Sequence, residues 1–281
     1  MDTASRGLLD TVSPALLAYL FGFLPQNDPL TEWVPGELLT PEFVQRLRES
    51  QFTGFALAKL PKGHGLLVFY KGRLLEAWRQ EPHGYEAGTT AYRNLMAELA
   101  LGGLSLYKLR LEGIPCLLSL TQGSPRFLAV APRSLQLETL LDSLRQEHFS
   151  GALVVEDGSA GRAWYFYRGQ PVFSPDLPRD LREGRVHLLQ SPGKAPQDLF
   201  EVLQREEEER RRQQSDRMWE SVEQVLREYM GRGAAGALER LRKSLPEENP
   251  ELLRQGLARW LTQTLEPGAA KLFEQLIQRP R

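Results

Sequence analysis

The sequence predicts an α+β protein: two tandem repeated helix–β-meander modules followed by a C-terminal all-α helical bundle. Three observations carry this. Residues 47–75 align without a gap on residues 144–172, with Leu47/Leu144, Arg48/Arg145, Phe52/Phe149, Gly54/Gly151, Phe69/Phe166, Tyr70/Tyr167 and Gly72/Gly169 identical, which marks a duplicated unit. In each copy a helix-spaced apolar set precedes short apolar runs separated by glycine turns. After Pro196 the pattern is helical to the last residue.

In chain order, Ser13 and Pro14 form a capped helix start, and Leu16, Leu17, Leu20 and Leu24 share a face. The run is shorter than the roughly 20 residues a bilayer span takes. Asp2 and Asp10 spoil a basic leader. A docked helix and a cytoplasmic protein without an integral membrane segment are expected. Residues 25–39 read as a Pro-rich connection. A helix opens at Thr40-Pro41, with Phe43, Val44 and Leu47 on its apolar face; its counterpart is Leu135–Gln146, with Leu140, Leu141 and Leu144.

Each helix leads through Phe-x-Gly into a strand, Phe55–Leu60 or Ala152–Asp157, and then a second strand, Leu66–Tyr70 or Ala163–Tyr167. The two-residue links Lys71-Gly72 and Arg168-Gly169 lead to a third strand. Glycine at the second central position admits the positive φ of a type I′ hairpin. Gly54, Gly72, Gly151 and Gly169 are therefore structural turn positions. The first copy continues with a helix, Thr89–Leu101, and strands Ser105–Leu111 and Ile114–Leu120. The second has a short connection, Leu177–Glu183, and a strand, Arg185–Leu189.

The run Arg205–Arg212 places acids and bases at helical spacing, a solvated helix face. Beyond it Trp219, Val222, Val225, Leu226 and Tyr229 form a stripe, followed by helices Ala234–Leu245, Pro250–Leu265 and Gly268–Ile277. The expected division is 1–35 for the N-terminal helix and connection, 36–130 for the first repeat, 131–197 for the second and 198–281 for the helical domain.

The net charge of −1 and pI near 6.5 give no general pull toward nucleic acid. The single cysteine, Cys116, excludes an intrachain disulfide and argues against a zinc cluster; a buried, inert thiol is expected. Gly231 to Gly236 spell a dinucleotide fingerprint but follow a helix rather than a strand, which makes a helix C-cap the better reading. The histidines His64, His83, His148 and His187 lack metal spacing, and Glu156 with Asp157 reads as turn chemistry. With no nucleophile–base pair, neither enzyme chemistry nor a cofactor or metal is expected.

The strands Leu67–Tyr70 and Trp164–Tyr167 are apolar at every position and should be covered on both faces. Trp164 and Phe166 are expected deep in the core. Tyr165 and Tyr167 are expected at an inter-module or partner-facing surface, with Arg162 and Arg168 as partner-binding cations. In an alternative reading Arg162, Arg168, Arg179 and Arg182 cluster to grip phosphate, as in a cyclic dinucleotide receptor.

The repeated string resembles the PATAN domain, a bacterial signalling family. The matching residues are Thr53, Gly54, Leu57, Phe69, Tyr70, Gly72, Arg73, Leu74 and Ala77 in the first copy. In the second they are Ser150, Gly151, Leu153, Tyr165, Phe166, Gly169 and Val172. Lys71 stands where the family often has Asp, and Gln170-Pro171 replaces the Arg-Leu that follows the turn glycine, so a short or edge strand is expected there. The resemblance covers about residues 36–190. It implies a non-enzymatic adaptor that binds a protein partner, such as a type IV pilus motor ATPase or another motility regulator. Self-association is compatible with it. No receiver domain accompanies the repeats.

Overall fold

A computed structural model describes residues 24–25, 29–38, 41–81, 84–156, 161–173, 184–194, 196–245 and 249–278. The expected N-terminal helix, the 177–183 connection, His83, Asp157, Arg179 and Arg182 lie outside the described residues, save Leu24. The protein is mixed α+β: two antiparallel sheets, then a long helical stretch. It divides into two compact units, Met1–Val202 and Leu203–Arg281.

The first sheet is built from β1 (Pro29–Pro35), β2 (Gly54–Leu60), β3 (Gly63–Tyr70), β4 (Arg73–Glu81), β5 (Gly84–Ala87) and β6 (Gly103–Lys108). Its order is β1-β6-β2-β3-β4-β5. A 3₁₀ turn, Gly36–Leu38, and helix α1 (Pro41–Glu49) precede β2, and α2 (Gly88–Leu99) precedes β6. Helix α3 (Gly113–Gln122) leads to the second sheet, β7 (Ser124–Val130), β8 (Gly151–Glu156), β9 (Gly161–Tyr167), β10 (Gln170–Val172) and β11 (Arg185–Gln190). Its order is β10-β9-β8-β11-β7. A 3₁₀ turn, Pro132–Ser134, and α4 (Leu137–Gln146) stand between β7 and β8.

The two edge ladders have the same register. Pro29, Thr31 and Val34 face Tyr107, Leu106 and Leu104, while Pro125, Phe127 and Val130 face Leu189, Leu188 and Val186. Each ladder slips between its first and second of these pairs and again between the second and third.

Helix α3 lies in a core shared by both sheets. Ile114, Cys116, Leu117, Leu118 and Leu120 pack with Phe55, Leu66, Val68, Trp78 and Tyr107 of the first sheet and with Ala152, Val154, Tyr165 and Leu189 of the second. The opposite face of the second sheet buries Phe149, Leu153, Val155, Phe166, Val186 and Leu188 against Leu144 of α4.

Three expectations need correction. Ile114–Leu120 is helix α3, not a strand, because a short apolar run buried on every side has the same pattern in either state. The 25–39 connection contains strand β1, whose terminal prolines are tolerated at a sheet edge. Strand β7 pairs with β11 in the second sheet, so the division at 130/131 falls too late.

After β11 the chain returns to the first sheet. Asp198 Oδ1 accepts from Phe200 N at 3.1 Å, capping α5 (Leu199–Met230), and from Leu74 N at 3.2 Å in β4. Phe200 stands edge-on to Tyr92 with the Arg48 guanidinium over its face. In the second unit, the later part of α5, α6 (Ala234–Ser244), α7 (Pro250–Thr264) and α8 (Pro267–Gln278) enclose Trp219, Val222, Leu226, Leu241, Leu257 and Phe273. Asn249 caps α7, and Arg254 forks onto Glu274 of α8. Gly231, with φ +52°, ends α5 in a 3₁₀ turn from which α6 starts, a helix cap and not a strand-borne phosphate loop.

Candidate functional site

The residues common to the two aligned segments tie the same backbone arrangement in each. Gly72 and Gly169 each have φ +76°, behind Lys71 and Arg168 at +49° and +50°, the pair of positive φ angles of a type I′ turn. Gly72 N donates to Phe52 O at 2.8 Å, and Gly169 N to Phe149 O at 2.7 Å. The Thr53 hydroxyl accepts from Lys71 N at 2.9 Å and the Ser150 hydroxyl from Arg168 N at 3.0 Å. A Cβ on Gly54 would meet Tyr107 O at 2.0 Å, and one on Gly151 would meet Leu189 O at 2.0 Å. These glycines, threonine and serine bind a helix end, a hairpin and a neighbouring strand into one knot.

The side chains expected to face a partner do not form a single surface. Tyr165 is 3% exposed in the shared core, edge-on to Phe173, and burial pushes its phenol pKa upward. Tyr167 is half-buried beside that core with the Arg168 guanidinium 5.5 Å above its ring, much as Lys71 stands over Tyr70. Phe166 is buried on the α4 side, whereas Trp164, expected deep, is only half-buried there in the middle of β9. Arg162 and Arg168 are exposed at opposite ends of β9. Six residues of strand separate them by about 20 Å, so they do not converge on one phosphate.

Glu76, Arg79, Cys116 and His187 are internally engaged. Glu76 accepts from Gln122 Nε2 at 2.6 Å and Ala77 N at 2.9 Å, and from Gly88 N at the start of α2; burial raises its pKa. Arg79 bridges Glu81, Glu86 and Glu98 at 2.7, 3.1 and 2.6 Å. Burial pushes the Cys116 thiol up to about 12, and its Sγ donates to Phe166 O at 2.8 Å. His187 resembles half of a catalytic dyad, with Nε2 2.9 Å from Glu156 Oε1. Its Nδ1, however, accepts from Ala129 N at 3.3 Å, so both ring nitrogens are occupied and neither serves a substrate. Among the described residues no group of three or more His, Cys, Asp or Glu side chains could hold a metal.

Among the described residues an open groove of about 520 Å³ lies on the first sheet, lined by Trp33, Leu57, Lys59, His64 and Ser105. Trp33 lies flat over Gly103, where a Cβ would come within 2.1 Å of the indole. Leu57 and Lys59 project from β2, Ser105 from β6 and His64 from β3, on the same face as Phe55 and Tyr107. Leu30 at 57% and Trp33 at 48% on β1, Leu38 at 64% in the 3₁₀ turn and Leu101 at 76% before β6 are exposed apolar residues. Sequence reading missed this site because its members come from four strands whose pairing is non-local. A Trp in a Pro-flanked polar stretch, Thr31-Glu32-Trp33-Val34, was the available signal.

Among the described residues no helix is long and apolar enough to cross a membrane. No family model, curated protein or solved structure matches the chain.

Proposed function

We propose that the chain is a non-enzymatic signalling adaptor carrying two copies of one PATAN-like module and a helical domain, and that it acts by binding protein partners in a motility or type IV pilus assembly. The observation that carries the reading is a division of labour between residues. Most positions identical in the two copies build or brace the backbone knot at Gly72 and Gly169, while other aligned positions differ, in the core (Phe55/Ala152, Val68/Tyr165) and on the sheet face (Lys59/Glu156). Duplication that keeps a backbone frame while its side chains diverge is the pattern of a scaffold that presents different faces. Support for the duplication extends past the aligned segment to the matching edge ladders and the 3₁₀ turns that follow them. Support for binding over catalysis comes from the occupied state of both His187 nitrogens and the inaccessible Cys116 thiol.

The test mixes the purified full-length chain with a type IV pilus motor ATPase in size-exclusion chromatography and calorimetry, with cyclic dinucleotides titrated in parallel. The adaptor reading expects a complex with Kd below about 10 μM and nucleotide binding no tighter than about 100 μM. A low-micromolar cyclic dinucleotide complex lost in Arg162→Ala or Arg168→Ala, with no protein complex, would replace the adaptor by a receptor.

A further inference from the structure

We propose that the edge of the first sheet, from β1 across the Trp33 groove, docks a partner segment that presents an apolar side chain next to a carboxylate. The inference rests on the adaptor reading and names the chemistry of its partner. The sister sheet supplies an internal control. By edge register Leu30 and Trp33 stand where Arg126 and Ala129 stand, and by the matching 3₁₀ turns Leu38 stands where Ser134 stands. The second edge therefore forms with Arg, Ala and Ser at these places. Large exposed apolar groups are not a requirement of the sheet, and their gathering on one edge marks a contact surface.

The same comparison gives the charge of the occupant. Leu57 and Ser105 pair across β2 and β6 as Val154 and His187 pair across β8 and β11. Lys59, paired with Gly103, stands where Glu156, paired with Arg185, stands. In the second sheet this place is closed from within, the Glu156 carboxylate hydrogen-bonded to buried His187. In the first it is an open groove whose described lining carries Lys59 and His64 and no carboxylate. Lys59 and the neighbouring exposed Lys62 have no ion pair among the described residues. The groove thus offers an indole wall and a Leu57 floor for an apolar side chain, and beside it the Lys59 ammonium, which has no ion pair among the described residues, for an acid.

The experiment selects a library of random dodecapeptides on the immobilised full-length chain. Winning peptides are then re-measured by fluorescence anisotropy against Trp33→Ala, Lys59→Glu and, as a sister-edge control, Arg133→Glu. Enriched peptides should pair an aromatic or aliphatic residue with Asp or Glu, bind at least about tenfold more weakly to the first two variants and be unchanged in the third. Lys59 is exposed, so its substitution tests the site even if Trp33→Ala perturbs folding. Peptides without an acid, or peptides indifferent to both groove substitutions, overturn this site while leaving the adaptor reading standing. A concentration-dependent dimer that Trp33→Ala dissolves, with no peptide enriched, also overturns it and assigns the face to a second copy of this chain.

Discussion

A series of glycine-to-alanine substitutions separates the two physical demands made on the hairpin turns. At Gly72 an added Cβ inherits φ +76° and also comes within 2.4 Å of Arg48 O and 2.9 Å of Arg48 Cα, which are backbone atoms of the α1 terminus. Gly88 has a comparable φ of +69° but nothing within 4 Å, so it carries the conformational demand alone. Gly84 has neither demand. A left-handed alanine costs about 1 kcal/mol. At Gly72 the backbone must also shift, and that shift strains the Gly72 N–H to Phe52 O bond, which brings the total to about 2–4 kcal/mol. For a unit of this size each kcal/mol lowers Tm by about 2–4 °C. Differential scanning calorimetry should then find Gly84→Ala within about 0.5 kcal/mol of the parent, Gly88→Ala lower by about 1 kcal/mol, and Gly72→Ala lower by at least twice that. Gly169→Ala should match Gly72→Ala, since its Cβ would lie 2.6 Å from Arg145 Cα. If Gly72→Ala and Gly88→Ala are equal, the close approach of turn to helix is not a real constraint. If all variants match Gly84→Ala, the knot contributes nothing.

Three further outcomes are expected. Tyr165→Ala should cost about 3–5 kcal/mol in urea denaturation and shift a single transition, because Tyr165 lies in the core joining both sheets through α3; two separated transitions would contradict a shared core. Burial raises the Glu76 pKa above its unfolded value, so its contribution is fully present below about pH 4.5 and is lost as pH rises through the folded value. The stability of Glu76→Gln relative to the parent should accordingly grow as pH rises above about 4.5, with a gap independent of pH as the contrary result. Brief trypsin treatment should cut within the exposed Arg205–Arg212 stretch of α5, which has no buried residue between Phe200 and Ser215, and leave a fragment holding both sheets; earlier loss of the sheets would count against this.

What could be read from residues alone was whatever local rules govern. The Phe-x-Gly and Tyr-x-Gly spacing identified both hairpins, because a type I′ turn demands positive φ at adjacent positions whatever surrounds it. The C-terminal helices were legible because the composition and the helical spacing of apolar residues change after Pro196. Non-local features were not legible. Ile114–Leu120 is apolar because two sheets enclose it, a fact of tertiary packing that a single run cannot reveal. The pairing of β1 with β6 and of β7 with β11 joins segments far apart in sequence, so the edge strands, the His187–Glu156 pair and the Trp33 groove emerged only with the sheets assembled. Tyr165 illustrates the intermediate case: its inter-module place was readable from an apolar run without alternation, but its complete burial depends on α3.

Hydrogen–deuterium exchange of the full-length chain with and without a saturating pilus motor ATPase tests most directly whether the two sheet edges differ in what they bind. Slowed exchange is expected in β1, the Gly36–Leu38 turn and the start of β6, with β7 and the Pro132–Ser134 turn unchanged. Protection at the second edge instead, or no protection anywhere on the first sheet, would contradict it.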